Sequence, residues 1–342
     1  MNDAPLVDRF TRPLSSLRLS VTDRCNLRCQ YCMPEAEYTW LPKADILDFE
    51  ELVRLTRVFA GLGVRRLRLT GGEPLLRRDL ATLVELLAGV DGIDDLALTT
   101  NGVLLADQAE ALGRAGLQRV TVSLDTLDRD TFVRLTRADE LARVSKGLEV
   151  AARVFPGFKI DTVVLRGVNE AEIAPLVDEA RRLGAEIRFI EYMDVGGATG
   201  WTGEQVVSRQ EILAALAERY GAPRPEYSEP SAPAVRFRLP NGQTIGIIAS
   251  TTTPFCATCD RSRLTADGLW YTCLYASSGV DLRAALRSGT SDVELAALIR
   301  RTWAARVDRG AEDRLAARDR TAFVPASALK RNPHLEMHTR GG

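Results

Sequence analysis

The sequence predicts an α/β fold: an incomplete (β/α)6 TIM-type barrel over residues 1–221, then a C-terminal α+β extension over residues 222–342. Three observations carry this expectation. Strand-like runs alternate with amphipathic helical stretches across residues 14–220, the pattern of parallel strands joined by helical crossovers. Small and polar residues recur just after those strands, where parallel α/β folds gather their sites. A proline-rich segment then ends the alternation.

Taken in order, strands are expected at 17–21, 66–70, 95–99, 119–124, 159–165 and 186–192. Helices are expected between them at 49–62, 80–87, 108–112, 141–154 and 173–183. Six strand units suit an open barrel better than a closed eight-fold one. The strand ends read Thr70-Gly71-Gly72-Glu73-Pro74, Thr99-Thr100-Asn101-Gly102, Ser123-Leu124-Asp125 and Met193-Asp194-Val195-Gly196-Gly197. Without a Cβ, glycine lets the backbone approach a ligand closely, so four such turns on one edge predict an extended small-molecule site. Residues 222–233 hold four of the 15 prolines and read as an irregular linker. Beyond it, runs at 235–239 and 244–248 flank Pro240-Asn241-Gly242 as a hairpin. Helices near 281–287 and 293–305 precede an arginine-rich tail.

Composition narrows the function. Of 342 residues, 45% are hydrophobic and 27% charged, which excludes a fibrous or largely disordered chain. Basic residues number 45 against 46 acidic ones, so a net charge of -1 gives no pull toward nucleic acid or an anionic membrane. No apolar run is long enough for a bilayer span and the first ten residues hold no signal-peptide core, so a cytoplasmic location is expected. The two histidines, His334 and His338, lie in the last nine residues, which removes Ser-His-Asp triads and HExxH zinc sites from the body of the chain.

The six cysteines form two triplets: Cys25, Cys29 and Cys32 on the loop after the first strand, and Cys256, Cys259 and Cys273 in the extension. In so long a chain they read as metal sites or catalytic thiols rather than disulfides. Thiolates favour zinc, copper(I) or iron–sulfur clusters. Three closely spaced thiolates can hold three irons of a [4Fe–4S] cubane, whereas a fully protein-held cluster takes four. The fourth iron is then open to an external molecule. The second triplet has no histidine near it to complete a zinc site, and the same reasoning gives a second open cluster. Arg261 and Arg263 follow at once; on an extended segment they face one side, as forks suited to phosphate or purine oxygens. Arg18 and Arg68 occupy alternate strand positions, where an inward charge is costly unless a ligand pairs it. Lys159, one of four lysines, opens a strand.

The Cys-x3-Cys-x2-Cys loop, with Tyr31 before its last cysteine, and the Gly71-Gly72-Glu73-Pro74 run resemble the radical S-adenosylmethionine (SAM) superfamily signature. The resemblance implies that the open iron chelates SAM and that one electron cleaves it to methionine and a 5′-deoxyadenosyl radical. With the second triplet, its Arg-x-Arg and the final Gly341-Gly342, nearly the whole chain resembles the GTP 3′,8-cyclase family of molybdenum cofactor biosynthesis. That likeness extends from Asp8-Arg9-Phe10 through Leu17–Arg24 in sequence to Glu191-Tyr192-Met193-Asp194-Val195-Gly196. It implies that the C-terminal extension carries a second Fe–S cluster, which binds the guanine of GTP through its open iron. The radical then takes a hydrogen from ribose C3′, C3′ attacks C8 of the base, and reduction gives 3′,8-cyclo-7,8-dihydro-GTP. A partner, cyclic pyranopterin monophosphate synthase, rearranges that product.

The same resemblance assigns residues. Cys25, Cys29 and Cys32 hold the SAM cluster, and Cys256, Cys259 and Cys273 the GTP cluster. Tyr31, Gly72, Ser123 and Met193 contact SAM; Arg18, Arg68, Thr99, Lys159, Arg261 and Arg263, with the backbone around Ser262, contact GTP. Gly341 and Gly342 reach the active site and assist radical initiation, although Arg340 stands where many relatives have isoleucine. An external electron donor and a homodimer are further implications. The competing readings are another radical SAM enzyme with an auxiliary cluster, such as a peptide maturase, and a zinc-stapled binding module. A maturase usually carries a richer set of C-terminal cysteines, and it leaves Arg-x-Arg and the diglycine unexplained.

Overall fold

Strand parity builds the barrel. In the first strand Leu17 and Leu19 are fully buried while Ser16 and Arg18 face the other way, and in the second Leu67 and Leu69 alternate with Arg66 and Arg68 in the same manner. Successive strand residues point to opposite faces, so one face of each strand packs under helices and the other looks into the barrel. The computed structural model describes residues 5–318 and 320–341.

The first part runs β1 (Ser16–Ser20), α1 (Phe49–Gly61), β2 (Arg66–Thr70), α2 (Leu80–Ala88), β3 (Asp95–Thr100), α3 (Leu105–Arg114), β4 (Arg119–Ser123), α4 (Arg129–Thr136), α5 (Leu141–Val154), β5 (Lys159–Val164), α6 (Ile173–Arg182), β6 (Glu186–Glu191) and α7 (Arg209–Tyr220). The second part adds β7 (Arg224–Pro225), β8 (Val235–Arg238), β9 (Thr244–Ile248), β10 (Arg261–Leu264), β11 (Leu269–Tyr271), β12 (Val280–Asp281), α8 (Leu282–Arg287), α9 (Asp292–Ala304), α10 (Gly310–Leu315) and α11 (Ala326–Arg331).

One sheet contains all these strands, in the order β12-β11-β10-β1-β2-β3-β4-β5-β6-β9-β8-β7. Strands β1 to β6 are parallel neighbours in sequence order. The parallel run extends past them at both edges, because β10 pairs parallel with β1 and β9 parallel with β6. The expected boundary at 221/222 falls between α7 and β7, and the segment beyond it supplies both strands that flank the six.

The six expected strands begin and end within one residue of the observed ones. Helix α3 is longer than expected, and α4 and α7 were not anticipated. Helix α4 spans only eight residues, and the apolar stripe of α7 is weak: it buries only Ile212 and Leu216, and a Ser208–Glu211 capping box defines its start instead. The linker expected to be irregular holds a short edge strand, since Arg224 and Pro225 pair with Arg238 and Phe237. An edge position tolerates the missing proline N–H. Strands β10 and β11 also went unforeseen. Among the described residues, no helix is long and apolar enough to cross a membrane.

Candidate active site

The inward faces of β1 to β6 enclose a cavity of about 790 Å³ that both cysteine triplets line. Its wall is layered by strand register. Arg18 of β1 lies beside Arg68 of β2 and Arg263 of β10; Thr121 of β4 lies beside Lys159 of β5; Asp161 of β5 lies between Ser123 of β4 and Arg188 of β6. Every described residue singled out from the sequence lines this cavity except Ser262 and Gly341. Ser262 is fully buried behind the wall, so only its backbone adjoins Arg261 and Arg263. Gly342 lies outside the described residues.

The first cysteine loop is clasped to the ends of β2 and β3. Gly72 N–H donates to the Thr22 carbonyl at 2.9 Å and Glu73 N–H to the Arg24 carbonyl at 2.7 Å. A Cβ on Gly72 would overlap the Arg24 carbonyl, so only glycine allows this approach. The Glu73 carboxylate is fully buried and saturated: it accepts from Leu75 N–H at 2.9 Å, Thr100 Oγ1 at 2.7 Å and Asn101 N–H at 2.7 Å. Burial still pushes it up to about 7. Its bonds tie the Gly-Gly-Glu-Pro turn to the end of β3, and its sequence position alone did not reveal that role. Tyr31 donates its hydroxyl to Asp125 Oδ2 at 2.6 Å, and Asp125 Oδ1 accepts Val163 N–H at 2.8 Å. Burial raises Asp125 to about 6. The aromatic side chain inside the loop is thereby fixed to the end of β4.

The thiols themselves fit a metal cluster. Burial pushes Cys25 up to about 11 and raises Cys29 and Cys32 as well. Such thiols ionise readily only when a cation compensates them, which a metal does. N–H groups already point at one sulfur, from Leu27 at 3.5 Å and Asn101 Nδ2 at 3.9 Å. Among the described residues no three His, Cys, Asp or Glu side chains converge to hold one ion. A cubane asks for something different, one thiolate per corner.

The second triplet has another electrostatic setting. Cys256 opens a short 3-10 turn before β10, Cys259 ends it, and Cys273 follows β11. Arg12 donates to the Cys256 carbonyl at 2.8 Å and Arg306 to the Cys259 carbonyl at 2.9 Å. Both arginines pair with the buried Asp8. Burial would raise the Cys259 thiol, but Arg261 and Arg306 outweigh it and hold it down to about 7.

Positive charge dominates the cavity between the triplets. Burial, with Arg263, Arg68 and Arg261 nearby, holds Arg18 well below its ordinary value. Burial likewise brings Arg68 down to about 10, with Arg119 and Arg188 adding to it. Lys159 falls to about 8 through burial and Arg188, and Arg263 to about 9 through burial and Arg261. Cations that depress one another in a buried space are a site for an anion. Arg119 and Arg188 share the inward parity of Thr121 and Lys159; alternation could have found them, but no motif marks them.

The C-terminal tail enters this space. The Gly341 carbonyl accepts from Arg263 at 2.7 Å and Arg18 at 3.2 Å, and the Thr339 carbonyl accepts from Ser20 at 3.0 Å. Gly341 has a φ of +66°, and a Cβ there would overlap Thr70 Oγ1, so its place requires glycine. Arg340 is buried over the Tyr271 ring at 4.1 Å and donates to the Leu274 carbonyl at 2.8 Å. The departure from isoleucine is thus a contact to the loop carrying Cys273.

The chain is similar to known proteins along nearly its whole length. Residues 19–180 match the Radical SAM superfamily and residues 185–311 match Molybdenum Cofactor Synthesis C. "GTP 3',8-cyclase 3" of Mycobacterium tuberculosis (strain CDC 1551 / Oshkosh) is 54% identical over 349 residues, covering 100% of this chain and 92% of that protein. "GTP 3',8-cyclase" of Acidothermus cellulolyticus is 47% identical, covering 90% of this chain and 88% of its own. In structure, Streptococcus suis SuiB bound to S-adenosylmethionine superposes with a TM-score of 0.58 at 16% identity, over 84% of this chain and 68% of that one. That likeness is one of fold. The paired family matches and the full-length identities lead to one conclusion: the chain belongs to the GTP 3′,8-cyclase family, radical SAM enzymes of molybdenum cofactor biosynthesis.

Proposed function

We propose that this chain converts GTP to 3′,8-cyclo-7,8-dihydro-GTP in the barrel cavity. A single observation carries the reading: one buried, mutually repelling set of cations lies in the same cavity as two separate cysteine triplets. In this reading Cys25, Cys29 and Cys32 hold the cluster that binds SAM, and Cys256, Cys259 and Cys273 hold a second cluster that takes the guanine. Residues 1–221 then form the radical-generating part and residues 222–342 the nucleotide-binding part.

When bound, the first cluster and SAM supply a 5′-deoxyadenosyl radical. The protein does the rest by position. Tyr31, held by Asp125, with Gly72, Ser123 and Met193, orients SAM at the strand ends. Arg18, Arg68, Lys159, Arg261 and Arg263, with Thr99, neutralise the triphosphate through charge-assisted hydrogen bonds. Fixing the phosphates and the base at two points leaves the ribose few orientations, so one C–H lies nearest the radical. In this reading Gly341, whose carbonyl accepts from Arg18 and Arg263, assists radical initiation together with Gly342. An external electron donor, a cytoplasmic location, a homodimer and a downstream cyclic pyranopterin monophosphate synthase complete the proposal.

The test is anaerobic reconstitution with SAM, a reductant and GTP, followed by nucleotide analysis. Cyclised nucleotide in step with 5′-deoxyadenosine is expected. In a Cys256→Ser variant, reductive SAM cleavage should persist while cyclisation disappears. Unchanged GTP beside turnover of a peptide would refute the proposal.

A further inference from the structure

The cavity wall includes several carboxylates, and nearly all are occupied by the protein. Asp95 accepts from Arg119, Glu186 from Arg188 at 2.7 Å, and Asp260 from Ser15 at 2.5 Å. Asp125 holds Tyr31, and Glu191 accepts backbone N–H groups from Thr251 and Thr252. Asp161 differs. Its Oδ1 is buried with no hydrogen-bond partner, although Asp161 lines the cavity. A buried acceptor left unmade is costly, so such a group points to a donor supplied by a ligand.

Its position says which donor. On β5 the inward residues are Lys159, Asp161 and Val163 in order toward the cysteine loop. Asp161 is in register with Ser123 and Arg188, one step above Thr121, Lys159 and Glu186. It therefore sits between the phosphate-binding cations and the SAM end. Its charge acts across the barrel on Arg68 of β2 and Arg18 of β1, and β10, the other neighbour of β1, carries Arg261 and Arg263 beside the second triplet. A carboxylate repels a triphosphate and has no donor to meet there. The base is engaged at the β10 side. Among the donors of GTP, the ribose hydroxyls remain, and a carboxylate holding a ribose hydroxyl is a common recognition pair.

Resting on the proposed GTP site, we propose that Asp161 is a specificity-determining residue that accepts a hydrogen bond from a ribose hydroxyl of GTP. It thereby selects ribonucleotides and sets the rotation of the sugar that presents its C3′ hydrogen.

The test is equilibrium binding of GTP, 2′-deoxy-GTP and 3′-deoxy-GTP to anaerobically reconstituted full-length protein, without SAM or reductant. Wild type should bind one deoxy analogue roughly 10- to 100-fold more weakly than GTP. Asp161→Ala should weaken GTP to that level and bring the discrimination to within about twofold. Asp161→Asn, which keeps an acceptor, should retain most of it. Asp161→Ala with discrimination intact, with all three nucleotides weakened equally, or with tighter GTP binding would overturn the inference. So would a loss that vanishes when magnesium is omitted, since the carboxylate would then serve the cation. Wild type that binds no GTP overturns the functional reading and this inference with it; GTP binding with an unmoved sugar preference overturns this inference alone.

Discussion

Single atoms set the limits of the site. Gly72 is the sharpest case, because the obstacle to a side chain there is backbone, the Arg24 carbonyl, rather than a flexible side-chain tip. Gly72→Ala must displace the first cysteine loop from the ends of β2 and β3. We expect the variant to fold but to lose roughly half its iron on reconstitution, with SAM cleavage abolished. Iron counting and the rate of 5′-deoxyadenosine release check this, and full iron loading would contradict it. Much at this scale was legible. Alternation alone put Arg18 and Arg68 on one face, and the family match named Tyr31. What was not legible is what holds these groups. Glu73 is saturated by three donors from the 75–101 region and Asp125 by two, and such pairings depend on where neighbouring strands end.

At the scale of elements, the strand runs were readable to within a residue because apolar residues recur at alternate places, as with Leu17 and Leu19 or Leu67 and Leu69. Its short length hid α4, and a weak stripe hid α7. The end of β6 is joined to the later helices by Asp194, whose side chain is completely buried. It accepts from Arg314 at 2.8 Å, Arg320 at 2.9 Å and Tyr275 at 2.8 Å. Burial would raise this carboxyl, but the three donors prevail and lower it below the ordinary 3.8. A depressed carboxyl contributes stability above its unfolded value and loses it as the pH falls through the native value. Asp194→Asn leaves two guanidinium groups without their counter-charge, so a destabilisation of about 3–5 kcal/mol is expected. Denaturant unfolding at pH 7 measures it. The gap between variant and parent should narrow as the pH is taken below 3.8; a gap independent of pH would assign the effect to packing instead.

The whole molecule depends on strands that lie far apart in sequence. Without β9 and β10, both edges of the six-stranded run would expose unpaired N–H and C=O groups, and the cavity wall would lose Ile248, Arg261 and Arg263. Residues 1–221 made alone should therefore aggregate or show no cooperative melting transition, whereas the full chain melts cooperatively. A monomeric, cooperatively unfolding fragment would show that the barrel closes on its own contacts. The sequence by itself determined the class of fold, the six strand units, both thiol triplets and the inward arginines, because each depends on local periodicity or on spacing along one loop. The tertiary structure alone decided that the extension flanks the barrel on both sides, that the tail meets Arg18 and Arg263, and that Asp161 Oδ1 lacks a hydrogen-bond partner. Those facts are set by hydrogen bonds between residues up to hundreds of positions apart, and no local pattern encodes which distant edge a four-residue strand will join.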